Sequence, residues 1–319
     1  MTALTALVAD LGGTNTRVAL TDGLHVRTDT IQRYRNADHP DLTSVLRTYL
    51  ADHTITPDAA CVAMAGPVFD GVGTLTNLNW TVDRAAVAVA TGASTVAVLN
   101  DLQAQGHALD ILTPDVVHTI LPGNRAGDHA ARLVLGVGTG LNAAAVYRLN
   151  ERTLVPPSEA GHVSLPAQSE HELHLLDWVA RKHGTPGLED ILSGRGFERI
   201  YAWLCEEDGS SELLDAGAIM QGVDAGTNPR AEEAARIFVR MLGRAASNLA
   251  LVHLPFGGIY LCGGVARHFA PHFKRFGFEA AFMDKGRFAD FMPQFPVHLV
   301  DDDYAALSGS AAHLHELMA

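Results

Sequence analysis

Three glycine-rich turns follow short apolar runs in this sequence. They read "LVADLGGTNTRVAL" from residue 7, "LVLGVGTGLNAAAV" from residue 133 and "IYLCGGVA" from residue 259. The first two lead into a second β-rich run, which predicts a turn between two strands rather than a loop before a helix. Successive backbone N–H groups in such turns close around an anion, so two turns can hold the β- and γ-phosphates of a nucleotide. A bend that needs glycine only for a positive φ is the alternative for any single turn.

Polar side chains beside these turns predict the rest of a nucleotide site. Asp10 ends the first predicted strand, where its carboxylate is placed to bind the Mg²⁺ that the phosphates carry, directly or through water. Thr14 and Asn15 add side-chain donors, and Gly263-Gly264 leaves space for the adenosine because glycine has no Cβ. The predicted nucleotide-binding residues are Ala9, Asp10, Leu11, Gly12, Gly13, Thr14, Asn15, Gly138, Thr139, Gly140, Gly263 and Gly264.

Other polar residues at the ends of predicted elements have two interpretations. Asn100-Asp101 follows the apolar run "STVAVL", and spacing alone favours a helix N-cap pair before "LQAQGHAL". Glu189 is placed to begin a short helix, "EDIL", where the helix dipole favours a carboxylate. Taken alone, Glu159 is interpreted as a solvated loop charge and His162 as a structural histidine. Their combination with the glycine turns favours a role in binding instead.

Alternating strands and helices must position these residues. Strand, helix, strand, helix and strand in succession are typical of an α/β domain with parallel strands. The second glycine hairpin echoes the first, which indicates a duplicated architecture of two lobes that each present such a hairpin. Predicted strands span 6–10, 16–21, 59–67, 94–101, 257–266 and 296–300, with a strand–turn–strand unit at 132–149; predicted helices span 42–53, 82–92, 169–184 and 267–276, with others beginning near 228 and 304.

Length and composition predict a soluble globular protein. The 319 residues suffice for two domains, and the apolar fraction of 47% fits a folded core. A formal net charge of −13 argues against a nucleic-acid partner. Three widely spaced cysteines predict no disulfide framework and a reducing cytoplasm, and the 16 scattered histidines predict no metal cluster. We expect neither a signal peptide nor a membrane-spanning segment.

The motifs together resemble the bacterial ATP-dependent glucokinase family, of the hexokinase-like type found in enterobacteria. They are "DLGGTNTR", "LNDLQAQGHAL", "GVGTGLNAA", "EAGHVSL", "EDILSGRG", "YLCGGVA" and "DKGRF". The resemblance implies an α/β, actin-like ATPase (ribonuclease H-like) fold with two lobes around a cleft. It implies a small α/β lobe, 1–107 plus 303–319, and a large α/β lobe, 108–302. It also implies a cytoplasmic homodimer that transfers the γ-phosphoryl group of MgATP to the 6-hydroxyl of glucose.

The resemblance assigns roles to the polar residues. Asp101 matches the family's catalytic base and also lies among the sugar-binding residues. A carboxylate that accepts the proton of the attacking hydroxyl contributes about 10²–10⁴-fold to the rate. Carboxylates, an amide and an imidazole are groups that pair with the hydroxyls of a hexose. The remaining sugar-binding matches are Asn77, Asn100, Glu159, His162 and Glu189.

The sequence departs from the family pattern at a few positions. Ala160 and Asn142 stand where glycine is common, and Ser310-Ala311 stands in a stretch usually richer in glycine. The methyl group of Ala160 lies beside the sugar loop, so we expect it to alter sugar affinity without abolishing it. None of these changes removes a residue with a chemical role.

Three other functions are compatible with parts of this pattern. A related kinase for mannose, fructose or an N-acylhexosamine would keep the same mechanism. A sugar-sensing transcription regulator would need a helix-turn-helix segment before the first hairpin, where only five or six residues precede the strand. An actin-like scaffold would have no use for the ring of hydroxyl-binding side chains. Sugar-dependent ADP release separates the kinases from the other two.

Overall fold

The computed structural model describes residues 5–75, 78–124, 126–150 and 152–319. These residues form two compact units. The first contains the chain up to Thr113, Val146–Pro157 and Asp302–Ala319, and the second contains Pro114–Ala145 and Ser158–Asp301. In the sequence interpretation the segment 146–157 lies within the larger lobe, whereas here it packs with the first unit. No helix of the described ranges is both long and apolar enough to cross a bilayer.

Strands and helices alternate through much of the described chain, as predicted for an α/β protein. The strands are β1 Thr5–Leu11, β2 Asn15–Asp22, β3 His25–Val26, β4 Gln32–Arg35, β5 Ala59–Met64, β6 Val68–Phe69, β7 Val72–Thr74, β8 Thr81–Asp83, β9 Thr95–Asn100, β10 Val117–Leu121, β11 Arg132–Val137, β12 Leu141–Leu149, β13 Arg152–Leu154, β14 Ile259–Cys262 and β15 Val297–Val300. The helices are α1 Leu42–His53, α2 Arg84–Thr91, α3 Asp101–Ala108, α4 Glu170–His183, α5 Leu188–Ile191, α6 Gly194–Glu207, α7 Ala216–Ala225, α8 Pro229–His253, α9 Gly264–Phe269, α10 Phe273–Phe276, α11 Phe278–Met283 and α12 Ala305–Met318.

The sheet of the first unit brings one set of predicted site residues to a single edge. Its order is β3-β2-β1-β5-β9, and β4 also pairs with β2. β1 is antiparallel to β2 but parallel to β5, which is parallel to β9. Leu11 pairs with Met64, and Met64 pairs with Asn100, so the carboxyl ends of the three parallel strands are level. The first glycine turn and the Asn100-Asp101 pair therefore lie at the same edge.

Helices cover this sheet, and its interior strand β5, which lies between β1 and β9, is wholly apolar. All six residues of β5 are buried, as expected for a parallel strand covered on both faces. One core layer includes side chains of α1, and another includes side chains of α12. α12 crosses α3 closely at Gly309, where a Cβ would lie 1.7 Å from the carbonyl oxygen of Ala104. The helix that begins at Asp101 is thereby packed against the rest of the unit.

The sheet of the second unit repeats this arrangement. Its strands follow the order β10-β15-β14-β11-β12. β11, β14 and β15 are parallel, and Gly136 pairs with Cys262. The turn after β11 and the Gly263-Gly264 turn after β14 therefore lie at one edge. β13 pairs with the end of β12, from Tyr147 to Leu149, within the first unit.

The long helix α8 organises the core of the second unit. Asn228 is its N-cap, and the side chain of Asn228 accepts two backbone N–H groups. Pro229 is its first residue, a position that suits proline. Phe238 stacks on Phe269 with ring centroids 4.2 Å apart. Arg244 forms a buried ion pair with Glu172 of α4. These contacts join α8 to α9 and to α4.

The structure corrects the helix predicted at 267–276. α9 begins earlier, at Gly264, and a 3-10 turn at Ala270–His272 separates it from α10. Pro271 explains the break, because proline has no N–H to donate to the preceding turn and its ring clashes with a carbonyl of that turn. The Gly263-Gly264 pair is thus the direct start of a helix rather than a loop before one.

Candidate active site

The first glycine turn, residues 12–14, is held by hydrogen bonds from Asn36. The N–H of Gly12 donates to the carbonyl of Asn15 at 3.0 Å. The buried Asn36 donates from Nδ2 to the carbonyl of Gly12 at 2.8 Å, and its backbone N–H donates to the carbonyl of Thr14 at 2.9 Å. Two carbonyl groups of the turn are therefore held by Asn36. Sequence reasoning missed this residue, because a lone asparagine after a short strand carries no signal of its function.

The glycines of both hairpins are not explained by backbone conformation. Gly12, Gly13, Gly138 and Gly140 all have φ angles outside the positive range. The alternative in which these bends need glycine for a positive φ is therefore wrong. A Cβ on Gly138 would point into open space, so packing within the protein does not require glycine there either. Close approach of a bound group at Gly138 stays a prediction.

Asp10 is partly buried and paired with Arg17. Arg17 lies opposite Asp10 in the β1–β2 register, and its Nη1 is 3.1 Å from Asp10 Oδ2. Burial raises the pKa of Asp10, while the charge and hydrogen bond of Arg17 oppose that rise. The pair keeps a carboxylate at the entrance of the first turn. Within the described part of the chain, no group of three or more His, Cys, Asp or Glu side chains is arranged to hold a metal ion.

Asn100 is a helix N-cap, as spacing alone indicates. Its Oδ1 accepts the N–H of Leu102 at 2.9 Å, and Gln103 Oε1 accepts the N–H of Asn100 at 3.0 Å, which completes a capping box. Asn100 Nδ2 donates to the carbonyl of Gly66 at 2.9 Å. Both ends of the carboxamide are thus engaged within the unit. Its sugar contact stays a prediction.

Asp101 is the first residue of α3. Its Oδ1 also accepts the N–H of Leu102, at 2.9 Å. The side chain is half-buried, and its backbone position is fixed by the Asn100 cap and by Gln103, whose Nε2 donates to the carbonyl of Val155 at 2.8 Å. The carboxylate therefore has a defined orientation at the edge that also carries the first glycine turn.

The second glycine turn is joined to Glu189 of α5. Glu189 Oε2 accepts the N–H of Leu141 at 3.0 Å, and a Cβ on Gly140 would lie only 2.3 Å from the same oxygen. Arg195 Nη2 lies 3.3 Å from Glu189 Oε1. The absence of a side chain at Gly140 makes room for the carboxylate. Arg195 was not predicted, although it lies in the quoted "EDILSGRG" motif.

Glu159, His162 and Glu189 form one electrostatic group in the second unit. Partial burial of the Glu159 carboxyl raises its pKa, His162 opposes that rise, and the charge of Glu189 adds to it. Gly161 lies against the second hairpin, where a Cβ would be 1.9 Å from the carbonyl oxygen of Leu141. Three predicted sugar-binding residues are thus brought together beside a predicted phosphate turn. Glu159 and His162 are exposed, which leaves them accessible to a ligand.

The fold requires glycine at only one of the two positions of the third turn. Gly263 has a φ of 96°, and a Cβ there would lie 2.5 Å from the carbonyl oxygen of Val137, so the fold itself requires glycine. Gly264 faces open space and begins α9. The role of both glycines in leaving space for a ligand stays a prediction. Asn77 lies outside the described residues.

Comparison with known proteins identifies relatives over almost the whole chain. The family described as "Glucokinase" matches residues 7–317. A glucokinase of Shigella flexneri serotype 5b (strain 8401) is 33% identical over 315 residues, which cover 98% of this chain and 98% of the relative. The solved glucokinase from an Antarctic psychrotroph is 31% identical, with a TM-score of 0.84 over 98% of this chain and 99% of that chain.

More distant structures share the fold. Glucokinase from Balamuthia mandrillaris, solved in complex with glucose, is 22% identical, with a TM-score of 0.84 over 98% of this chain and 94% of that chain. A ROK family glucokinase from Streptomyces griseus, solved with glucose and AMPPNP, is 19% identical, with a TM-score of 0.68 over 98% of this chain and 99% of that chain. The chain is therefore a sugar kinase of the actin-like ATPase fold, and the predicted fold class is confirmed.

Within this class the relationship is specific. The chain belongs to the glucokinase family, as the motifs predict.

Proposed function

We propose that this protein is a glucokinase, which transfers the γ-phosphoryl group of ATP to the 6-hydroxyl of glucose. The products are glucose 6-phosphate and ADP, and the reaction is the entry of glucose into glycolysis. The observation that carries this proposal is the double role of Glu189. Its carboxylate accepts the N–H of Leu141 at the second glycine turn and lies in the charge field of Glu159. One carboxylate therefore links a phosphate-binding turn to hydroxyl-binding side chains, as a sugar kinase requires.

MgATP is the proposed phosphoryl donor. The N–H groups of residues 12–14 and 138–140 would bind its phosphates, and Gly264 would leave space for the adenosine. Mg²⁺ is a hard ion that commonly takes one or two carboxylates with substrate phosphates, which fits the single carboxylate of Asp10. When bound, the ion would neutralise charge on the phosphates. AMPPNP in the Streptomyces relative supports nucleotide binding by this family of folds.

Asp101 is the proposed catalytic base. Phosphoryl transfer passes through a loose transition state, so the protein mainly positions the reactants and neutralises charge. The Asp101 carboxylate would accept the proton of the 6-hydroxyl as the oxygen attacks phosphorus. Its fixed orientation at the start of α3 suits this role, because a general base must lie within hydrogen-bond reach of the proton.

Glucose would be held by hydrogen bonds to its ring hydroxyls. Glu159 and Glu189 would accept hydroxyl protons, and His162 would donate or accept according to its tautomer. Asn100 and Asn77 are further proposed contacts. Each bond to a charged group contributes about 1.5–3 kcal/mol, so loss of one carboxylate weakens binding by roughly 10- to 100-fold.

Two further properties are proposed from family membership. The protein would be cytoplasmic and would form a homodimer. Exposed apolar side chains support a second copy as partner: Leu154 of β13 and Leu317 of α12 are 54% and 53% exposed. Their neighbours Thr153 and Glu316 are hydrogen-bonded, so the two elements lie side by side. Sedimentation would show a mass twice that of the 34.0 kDa chain.

The deciding experiment measures ADP release with MgATP against a panel of hexoses. We expect rapid glucose-dependent release from the parent protein and a loss of about 10²–10⁴-fold in kcat for Asp101→Asn, because an amide cannot take the proton. Asp177→Asn is the matched control, since it removes only an exposed ion pair with Arg181. Turnover of Asp101→Asn within threefold of the parent would remove Asp101 as the base. Activity on another sugar alone would replace glucose as the substrate.

A further inference from the structure

Asn142, the second residue of β12, bridges both neighbours of Glu159. Its Nδ2 donates to the carbonyl of Ser158 at 2.6 Å, and its Oδ1 accepts the N–H of Ala160 at 2.9 Å. The same Oδ1 also accepts the N–H of Ala143, at 2.8 Å, which fixes the carboxamide on its own strand. A single side chain therefore fixes the backbone on both sides of Glu159.

Further contacts hold the loop at the residues that follow Glu159 in the chain. The N–H of His162 donates to the carbonyl of Glu159 at 3.1 Å, and Gly161 lies close to the carbonyl oxygen of Leu141. Glu159 itself has φ −125° and ψ 51°, outside regular helix and strand. The two bonds of Asn142 hold the backbone on either side of this residue.

Asn142 and Ala160 meet in this loop, where the side chain of the first accepts the N–H of the second. A glycine at position 142 would have no side chain to form either bond of Asn142 to the loop. Alanine at position 160 also restricts the unbound loop more than glycine would. Both residues therefore reduce the freedom of the loop that carries Glu159.

We propose that Asn142 is a positioning residue, which holds Glu159 in its sugar-binding conformation before glucose binds. The inference rests on the proposed function, in which Glu159 contacts glucose. A loop that is already ordered loses less conformational entropy on binding, so the benefit is in glucose affinity. Asn142 acts through Glu159 and touches neither nucleotide nor sugar in this role. It therefore sets the KM for glucose more than kcat or the KM for ATP.

The test compares Asn142→Ala with the parent in the ADP-release assay. We expect the KM for glucose to rise about 5- to 30-fold, since two hydrogen bonds to the loop are lost. The KM for ATP should stay within about twofold, because the glycine turns and Asp10 are unchanged. Asn248→Ala is the control, since it removes one exposed side-chain contact, with Lys285, elsewhere in the same unit. Asn142→Gly serves as a second variant if the alanine protein does not fold.

A second measurement separates positioning from a general structural role. In a Glu159→Gln background, Asn142→Ala should change the KM for glucose by less than about twofold, because residues that act as a unit are not additive. Hydrogen exchange at the Ala160 amide should be faster in Asn142→Ala, with an unchanged Tm.

Four results would overturn the proposal. They are an unchanged KM for glucose in a folded variant, an equal rise in both KM values, a full effect of Asn142→Ala in the Glu159→Gln background, and unchanged exchange at the Ala160 amide. A parent protein without glucose-dependent ADP release would instead overturn the proposed function, and this inference with it. An active parent with an unaffected Asn142→Ala variant overturns the inference alone.

Discussion

The first glycine hairpin, at residues 12–14, and the second, at residues 138–140, each join two strands at the edge of a sheet, but different groups support them. Asn36 holds the carbonyls of the first turn from behind, and the Asp10–Arg17 pair stands at its entrance. The second turn is held by the carboxylate of Glu189, which belongs to the predicted sugar-binding set. The two turns have similar backbone motifs but differ in the side chains that contact them, and only the second is contacted by a predicted sugar-binding residue.

This difference predicts which ligand each hairpin affects when it is perturbed. The support of the first hairpin contains a candidate Mg²⁺ ligand and no predicted sugar-binding residue. The support of the second is itself a predicted sugar-binding residue. Perturbing the first should act on the KM for ATP, whereas perturbing the contact of Glu189 with the second should act on both substrates.

Among variants of the two hairpins and their supports, the largest effect is expected for Gly140→Ala. The new Cβ would lie 2.3 Å from Glu189 Oε2, so the flexible carboxylate must move away from the N–H of Leu141. We expect kcat/KM for glucose to fall by roughly 10- to 100-fold, the effect of losing a hydrogen bond to a charged group. Steady-state kinetics with each substrate varied in turn would measure this.

Gly138→Ala is the matched comparison within the same turn. Its Cβ would meet open space and its φ is not positive, so the free energy of unfolding should change by less than about 1 kcal/mol. Its effect should fall on the KM for ATP. Equal losses of glucose kcat/KM in the two variants would contradict the assigned role of Glu189.

A smaller effect is expected for Asn36→Ala at the first hairpin. The variant leaves the buried hydroxyl of Thr16 and the carbonyl of Gly12 without their partner, which lowers the free energy of unfolding by about 1–3 kcal/mol. The KM for ATP should rise several-fold, on the order of one or two lost hydrogen bonds, with little change for glucose. Urea unfolding and kinetics would measure both.

Asn142→Ala is the counterpart at the second hairpin, where glucose is the ligand affected. The two asparagine variants thus form a reciprocal pair. If Asn36→Ala raised the KM for glucose as much as that for ATP, the proposed division of labour between the hairpins would be wrong.

The smallest effect concerns pH. Burial and the nearby charge of Glu189 raise the pKa of Glu159, so its carboxylate is protonated at a higher pH than an ordinary glutamate. Protonation removes a negatively charged acceptor for a sugar hydroxyl, so the KM for glucose should rise as the pH falls. This rise should begin at a higher pH than the protonation of an ordinary glutamate would cause. Glu159→Gln should raise the KM at neutral pH and flatten this acid dependence. An unchanged acid dependence in that variant would assign it to another group.

The sequence alone predicted the α/β class, the glycine turns and much of the element order. α1 at Leu42–His53 and α2 at Arg84–Thr91 agree with the predicted 42–53 and 82–92, because local spacing of apolar residues and capping residues determines a helix. The predicted helix at 267–276 is the exception, because Pro271 interrupts it. The family, too, follows from short motifs that can be read along the chain.

Only the tertiary structure revealed how the site residues are supported. Asn36 and Gly12 are 24 residues apart, Glu189 and Leu141 are 48 apart, and Asn142 and Ala160 are 18 apart. No local pattern predicts such hydrogen bonds, because they depend on the pairing of strands and the packing of loops against them. The sequence determined which chemical groups are present at each turn, since turn formation is local. Tertiary packing decided which of those groups hold one another in place, because that requires distant segments to meet.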